Sequence, residues 1–214
     1  MTIALCITCY NKDYYLTKFL MSYLKQQTVA PNEIIIYCSG IKYTETLEFI
    51  IINNKKIDIQ TIFSSKLTNQ AVARNICSKI ANSSYIMFCD VDDIPHPSKI
   101  DIIQNIINKY TPDFILHNYN NIFNYNIIKF EQINNIILLP INEIDKNSTN
   151  VICRDYPIHH AHITVKKSIF NTIQFNETDE YYRKEDGKFC QDLVMNNYKG
   201  IYCTSKLVNY MNKI

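Results

Sequence analysis

The chain has 214 residues, 47% hydrophobic and 20% charged, with a formal net charge of +2. That length suffices for one full core with at most a small appended subdomain, and the composition is that of an ordinary soluble domain. So small a charge gives no argument for a nucleic acid or an anionic membrane surface as partner, and no apolar run approaches the roughly 20 residues of a membrane span.

In chain order, Ile3 to Thr8 is apolar without polar alternation, which predicts a strand buried on both faces. Asp13 can cap a helix carrying Tyr15, Leu16, Phe19, Leu20, Tyr23 and Leu24 at helical spacing, ending near Gln27. Glu33 to Cys38 predicts a second strand, Tyr43 to Asn53 a helix, Ile57 to Phe63 a third strand and Asn69 to Ala81 a helix. Tyr85 to Cys89 is a fourth apolar strand that runs straight into Asp90-Val91-Asp92-Asp93. Pro97 can open the next helix, with Ile100, Ile103, Ile107 and Tyr110 on one face, and Asp113 to Asn118 is another strand. The alternation argues for an α/β fold with a mostly parallel sheet. Tyr119 to Thr149, rich in Asn and Ile, reads as a hairpin or irregular insert. Ala161 to Val165 then predicts a strand, Lys167 to Phe170 a short helix, Glu185 to Asn197 a helix and Ile201 to Cys203 a closing strand.

Eight cysteines are scattered along the chain. Those inside apolar runs, Cys6, Cys38, Cys77 and Cys89, read as buried thiols. Cys6 and Cys9 have C-x-x-C spacing, but residues three apart on a strand face opposite sides, and no second pair completes a zinc site. With no basic leader between Met1 and Cys9, the expected location is cytoplasmic.

Asp90, Asp92 and Asp93 carry the strongest chemical signal. They sit at the carboxyl end of a buried strand, the edge of a parallel α/β sheet where ligands bind. Carboxylates this close repel one another unless a cation or proton intervenes, and hard oxygen donors suit Mg²⁺ or Mn²⁺. A solvated acidic turn that merely ends the strand is the other reading. One helix upstream, Arg74 and Asn75 offer a fork of donors that suits a diphosphate, or an ordinary helix surface. His159, His160 and His162 lie close enough together to bind metal or line a pocket, and His160 and His162 would share one face of a strand. His117 ends an apolar strand and reads as core packing.

Four segments resemble glycosyltransferase family 2 in that family's order. Ala4-Leu5-Cys6-Ile7-Thr8-Cys9-Tyr10-Asn11-Lys12 resembles its opening strand and turn, and Ala73-Arg74-Asn75 its Ala-Arg-Asn segment. Tyr85 through Pro97 resembles its strand, D-x-D-D and following proline, and Arg183-Lys184-Glu185-Asp186 its late Glu-Asp motif. The resemblance implies a GT-A fold, an α/β domain with a mostly parallel central sheet flanked by helices and a small mixed C-terminal part. Residues 1–118 would form its nucleotide-sugar half and residues 119–214 its acceptor-side half. It implies an inverting enzyme that takes a sugar from a nucleoside diphosphate donor, by default UDP-linked, with Mn²⁺ or Mg²⁺ as cofactor. The acceptor would be a glycan, a glycoprotein or another hydroxyl compound. Thr8, Tyr10, Asn11 and Ser39 would then lie near the nucleotide, Arg74 and Asn75 near the base or diphosphate, and Asp90 near ribose or sugar. Asp92 would ligate the metal, Asp186 would act as general base, and Glu185, His160 and His162 would lie on the acceptor side. Asp192 is a competing base inside the same helix.

One departure from the family pattern is the second strand's end, Tyr37-Cys38-Ser39-Gly40, where acidic residues usually stand. This leaves the nucleobase open. A sugar-nucleotide or glycan-binding module without turnover is a second reading. A phosphotransferase using Asp90 as nucleophile is a third, although that motif normally lies on the first strand, with Thr or Val where Ile94 stands here. With only three glycines in the chain, no Gly-rich phosphate loop is present.

Overall fold

A computed structural model describes residues 1–10, 13–40, 48, 51, 54, 56–122, 130–141, 143–144, 151–152 and 157–211. The continuous apolar runs become β1 (Ile3–Tyr10), β2 (Glu33–Ser39), β3 (Asp58–Ser64) and β4 (Tyr85–Asp90), paired in parallel in the order β3-β2-β1-β4. The helices are α1 (Asp13–Met21), continued by a π-helical turn (Ser22–Gln26), α2 (Gln70–Ile80), α3 (Lys99–Tyr110) and α4 (Glu185–Met195).

The period of the strand sorts its side chains between two layers. Ile3, Leu5, Ile7 and Cys9 pack with Leu16 and Phe19 of α1 and with Ile100, Ile103 and Ile107 of α3. Ala4 and Cys6 face Ala71, Ala73 and Cys77 of α2 and Phe189 and Leu193 of α4. Cys6 and Cys9 therefore lie on opposite faces of β1, and the seven described cysteines are buried free thiols. The buried Glu33 carboxylate accepts the backbone N–H groups of Asn82 (2.9 Å) and Ser83 (2.6 Å), tying the start of β2 to the α2–β4 connection.

The rest of the sheet is mixed. It comprises β5 (Ile94–Pro95), β6 (Phe114–Ile122), β7 (Leu138–Ile141), β10 (Thr164–Lys166) and β11 (Gly200–Met211), while β8 (Glu143–Ile144) and β9 (Val151–Ile152) pair separately. β10 lies antiparallel between β4 and β6, and β11 runs parallel to β6 with β5 and β7 antiparallel to it. No helix among the described residues is long and apolar enough to cross a membrane.

Three elements differ from the sequence expectation. The strand expected at Ala161 to Val165 is a 3-10 turn, His160–His162, followed by β10. His160 and His162 therefore share no strand face; the turn closes through backbone bonds from His162 N–H to the His159 carbonyl and from Ile163 N–H to that of His160. β11 continues eight residues past Cys203, through polar Thr204-Ser205-Lys206, because Thr204 N–H reaches the Ile137 carbonyl, β6 pairs with Lys206 and Asn209 to Met211, and β5 pairs with Val208 and Asn209. α3 starts at Lys99, two residues after Pro97. Of the expected helix at residues 43–53 only positions 48 and 51 are described, and within the insert at 119–149 positions 123–129, 142 and 145–149 lie outside the described residues, the rest holding the end of β6, β7 and β8.

At the start of β11, Gly200 lies against Phe114: a Cβ there would stand 2.3 Å from the Cζ atom of that buried ring. Gly200→Ala should therefore destabilise the fold by about 1–3 kcal/mol through overpacking. Denaturant unfolding of the variant measures this, and an unchanged midpoint would show that the β6–β11 contact is looser than described.

Candidate active site at the carboxyl edge of the sheet

β1, β2 and β4 end side by side. In their register Thr8 lies between Tyr37 and Asp90, and Tyr10 lies opposite Ser39. A cleft of about 450 Å³ opens at this edge, lined by Tyr10, Asn69, Gln70, Tyr182, Arg183, Glu185 and Tyr210. α2 begins at this cleft with Asn69 as its cap, accepting Val72 N–H at 2.9 Å. α4 also begins here, with Glu185 and Asp186 in its first turn. Two helix N-termini at one cleft favour anionic groups. A larger cavity, about 840 Å³, lies at the opposite edge near Thr2, Ser84 and Lys166 and contains none of these groups.

Arg74 is the centre of the site. Its side chain is 1% exposed, with Nη2 on Asp90 Oδ1 at 3.1 Å and Nη1 on Glu185 Oε1 at 2.6 Å. Gln70 Oε1 accepts from Nη2 at 3.3 Å, and the Phe175 ring lies 5.4 Å from the guanidinium carbon. Burial works against the charge of Arg74, but Asp90, Glu185 and Asp186 outweigh it and raise its pKa. Asp90 is pushed up to about 6, chiefly by desolvation; Arg74 pulls it down, and Asp93 and Asp92 push it up.

The other expected site residues fall into distinct groups. Tyr10 lines the cleft. Thr8 is buried with its hydroxyl lacking a hydrogen-bond partner among the described residues. Ser39 is turned into the protein, its Oγ accepting Thr68 N–H at 2.7 Å and donating to the Lys66 carbonyl at 3.2 Å. Asn75 is likewise engaged internally: its amide nitrogen donates to the Phe175 carbonyl (2.9 Å) and Glu177 (2.8 Å), and its oxygen accepts Phe175 N–H (2.9 Å). Asp92 sits half-buried in the turn after β4, and His160 is half-buried in the 3-10 turn. Asp186 is half-buried and accepts Gly187 N–H at 2.7 Å. Asp192 pairs with Lys188 within α4. Asn11 lies outside the described residues.

His162 is 0% exposed, with Nε2 2.8 Å from Asp93 Oδ2 and Nδ1 2.9 Å from Lys99 Nζ. Lys99 and the tyrosines of the cleft, Tyr182 and Tyr210, are the residues that sequence reasoning missed. Lys99 had a signal: a lysine in the first turn of a helix opposes the helix dipole. The tyrosines had none, because aromatic residues recur throughout the chain.

The four parallel strands, the antiparallel β10 beside β4 and the acidic turn at the sheet edge define a GT-A-type glycosyltransferase domain. The sequence matches glycosyl transferase family 2 over residues 4–169, and the chain belongs to that family. Among solved structures, S. aureus TarS 1-349 in complex with UDP is similar over 100% of this chain and 61% of that one, with a TM-score of 0.70 and 16% identity. The same fragment in complex with UDP-GlcNAc is similar over 100% of this chain and 59% of that one (TM-score 0.67, 14% identity). S. aureus TarS itself matches over 99% and 37% (TM-score 0.69, 16% identity). This likeness is one of fold, and this chain spans less than two thirds of the structures it resembles. No curated protein matches the sequence.

Arg74→Met should cost about 3–5 kcal/mol, because it strands two partly or fully buried carboxylates; urea unfolding at neutral pH checks this. Asp90 gives a pH signature. Its folded pKa, about 6, lies above the ordinary value of 3.8, so its contribution to stability is complete below about pH 4 and is lost as pH rises through 6. Unfolding profiles should show this fall in the wild type and lack it in Asp90→Asn.

Proposed function

We propose that this domain transfers a sugar, with inversion, from a UDP-linked donor to a hydroxyl acceptor such as a glycan or glycoprotein, using Mn²⁺ or Mg²⁺. The observation that carries the reading is the Arg74 bridge. It joins Asp90, the last residue of β4, to Glu185 in the first turn of α4, 111 residues beyond Arg74, at the edge where the cleft opens. UDP is favoured because the similar TarS fragment was solved with UDP and with UDP-GlcNAc. Residues 1–118 supply the donor side and residues 119–214 most of the acceptor side, and the cytoplasmic location belongs to the same proposal.

The residues at this edge fit a divalent cation. Asp90, Asp92 and Asp93 crowd carboxylates into four positions, and desolvation of Asp90 signals a site that gains from added positive charge. The donors are hard oxygens, with Asp92 the ligand the turn presents best. When bound, such a cation neutralises the charge that a departing diphosphate develops. Arg74 is too deeply buried to move toward a ligand; it holds Asp90 toward the ribose or sugar. Glu185 is occupied by Arg74. Asp186 therefore remains the better carboxylate to accept a proton from the attacking hydroxyl. Tyr10, Tyr182 and Tyr210 offer rings on which a sugar or base can stack.

UDP with Mn²⁺ should raise the melting temperature, and Asp92→Ala should remove the Mn²⁺-dependent part. With a turnover assay across UDP-sugars, Asp186→Asn should lower kcat about 100- to 10,000-fold while leaving UDP–Mn²⁺ binding intact. Binding without turnover for any acceptor would reassign the chain as a binding module. A phosphoenzyme trapped at Asp90 would reassign it as a phosphotransferase.

A further inference from the structure

Beneath the acidic turn lies a chain of buried polar groups that the reaction scheme does not use. The Tyr23 hydroxyl is 3.1 Å from Cys89 Sγ, Lys99 Nζ donates to the same sulfur at 3.4 Å, and Lys99 Nζ is 2.9 Å from His162 Nδ1. His162 Nε2 is 2.8 Å from Asp93 Oδ2, and Asp93 Oδ1 accepts Met211 N–H at 3.1 Å. Lys99, His162 and Asp93 are all 1% exposed or less.

The protons in this chain are determined from both ends. A carboxylate only accepts, so His162 must present Nε2–H to Asp93. At the other end the Lys99 ammonium only donates, and it stands 2.9 Å from Nδ1, so Nδ1 must be the bare, accepting nitrogen. Lys99 then donates to Nδ1. The order Lys99→His162→Asp93 is thus the only one that satisfies every group.

Asp93, His159 and His162 also bring one carboxylate oxygen and two ring nitrogens within 4.8 Å of one another, a possible cation-binding group. The tautomer argues against that use. The Nε2 lone pair of His162 is taken by a proton, and a lysine ammonium stands on the other ring nitrogen where a metal-bound histidine needs an acceptor.

We propose that Lys99 and His162 are positioning residues for the nucleotide–cation edge. Together they orient Asp93, which pins the turn carrying Asp92 to the end of β11. The consequence is a cation affinity of that turn set by side chains that touch neither cation nor donor. The proposal rests on reading the acidic turn as the cation- and UDP-binding edge.

The test measures the Mn²⁺ concentration that half-saturates UDP binding, for folded variants well below their melting temperatures. His162→Leu should raise it roughly 10- to 100-fold, the usual effect of removing an outer-shell partner. His162→Gln, whose amide can both donate to Asp93 and accept from Lys99, should recover most of the loss. Asp93→Asn alone should behave like His162→Leu, since two donors then face each other. Asp93→Asn combined with Lys99→Met should recover, because the ring is then free to take the opposite tautomer.

Long-range ¹H–¹⁵N NMR of the wild type should show His162 as the neutral Nε2–H tautomer, unchanged by Mg²⁺ plus UDP. An Nδ1–H or doubly protonated ring, or an Nε2 signal displaced by Mg²⁺, overturns the proposal whether or not the variants fold. So does a folded His162→Leu with wild-type Mn²⁺ dependence. A wild type that binds no UDP with Mn²⁺ instead overturns the reading of the edge itself.

Discussion

The buried guanidinium of Arg74 is the constraint on which the site depends. A fully buried cation is tolerated only when its donors are met, and the fork of Arg74 meets Asp90 on one side and Glu185 on the other. A lysine in its place would offer one point charge where two carboxylates from separate elements need directed donors. Because those carboxylates belong to β4 and α4, satisfying one side chain also fixes how the late helix sits against the early sheet. Asn75, one residue on, reinforces the arrangement by clasping the backbone at Phe175, just upstream of α4. In the fold Arg74 and Asn75 together bracket β4, the segment at Phe175 and the start of α4.

The acidic turn carries a second buried cation. Arg74 faces Asp90 from the α2 side, and Lys99 reaches Asp93 through His162 from the α3 side. Desolvation lowers the Lys99 pKa, while Cys89, Asp93 and Asp90 raise it. The two cations reach the turn from helices packed on opposite faces of the sheet. The two cations offset part of the mutual repulsion of these carboxylates.

The fold was legible wherever one physical signal sufficed. β1, β2 and β4 are continuous apolar runs because both faces are covered, and α2 and α3 show the helical period because one face is. Legibility failed where tertiary partners override pattern. His160–His162 turns instead of extending, in a segment where His162 has buried partners at both ring nitrogens. β11 runs through Thr204-Ser205-Lys206 because neighbouring strands supply the ladder. The candidate site was legible in its acidic turn, its arginine and its Glu-Asp pair, residues whose chemistry is visible without neighbours. Lys99 was not, since its role arises only from the position of His162 and Asp93. Lys99 breaks a local rule at the start of α3, and such violations are where a sequence departs from pure stability.

The approach to α4 shows the same trade. Arg183 adopts a left-handed backbone, φ 64°, unusual for a residue with a side chain. The strain lies directly before the Lys184-Glu185-Asp186 turn, where Lys184 N–H closes onto the Tyr181 carbonyl at 2.8 Å. Reversing the chain there starts α4 at Glu185 and puts both carboxylates in its first turn, where the helix dipole favours them. A relaxed Arg183 would start the helix elsewhere and withdraw Glu185 from Arg74. The Arg74–Glu185 pair therefore holds the strained residue in place, and the strained residue aims the pair. Local strain of this kind persists only when its surroundings over-determine it, and here they do so through the side chain that also fixes Asp90.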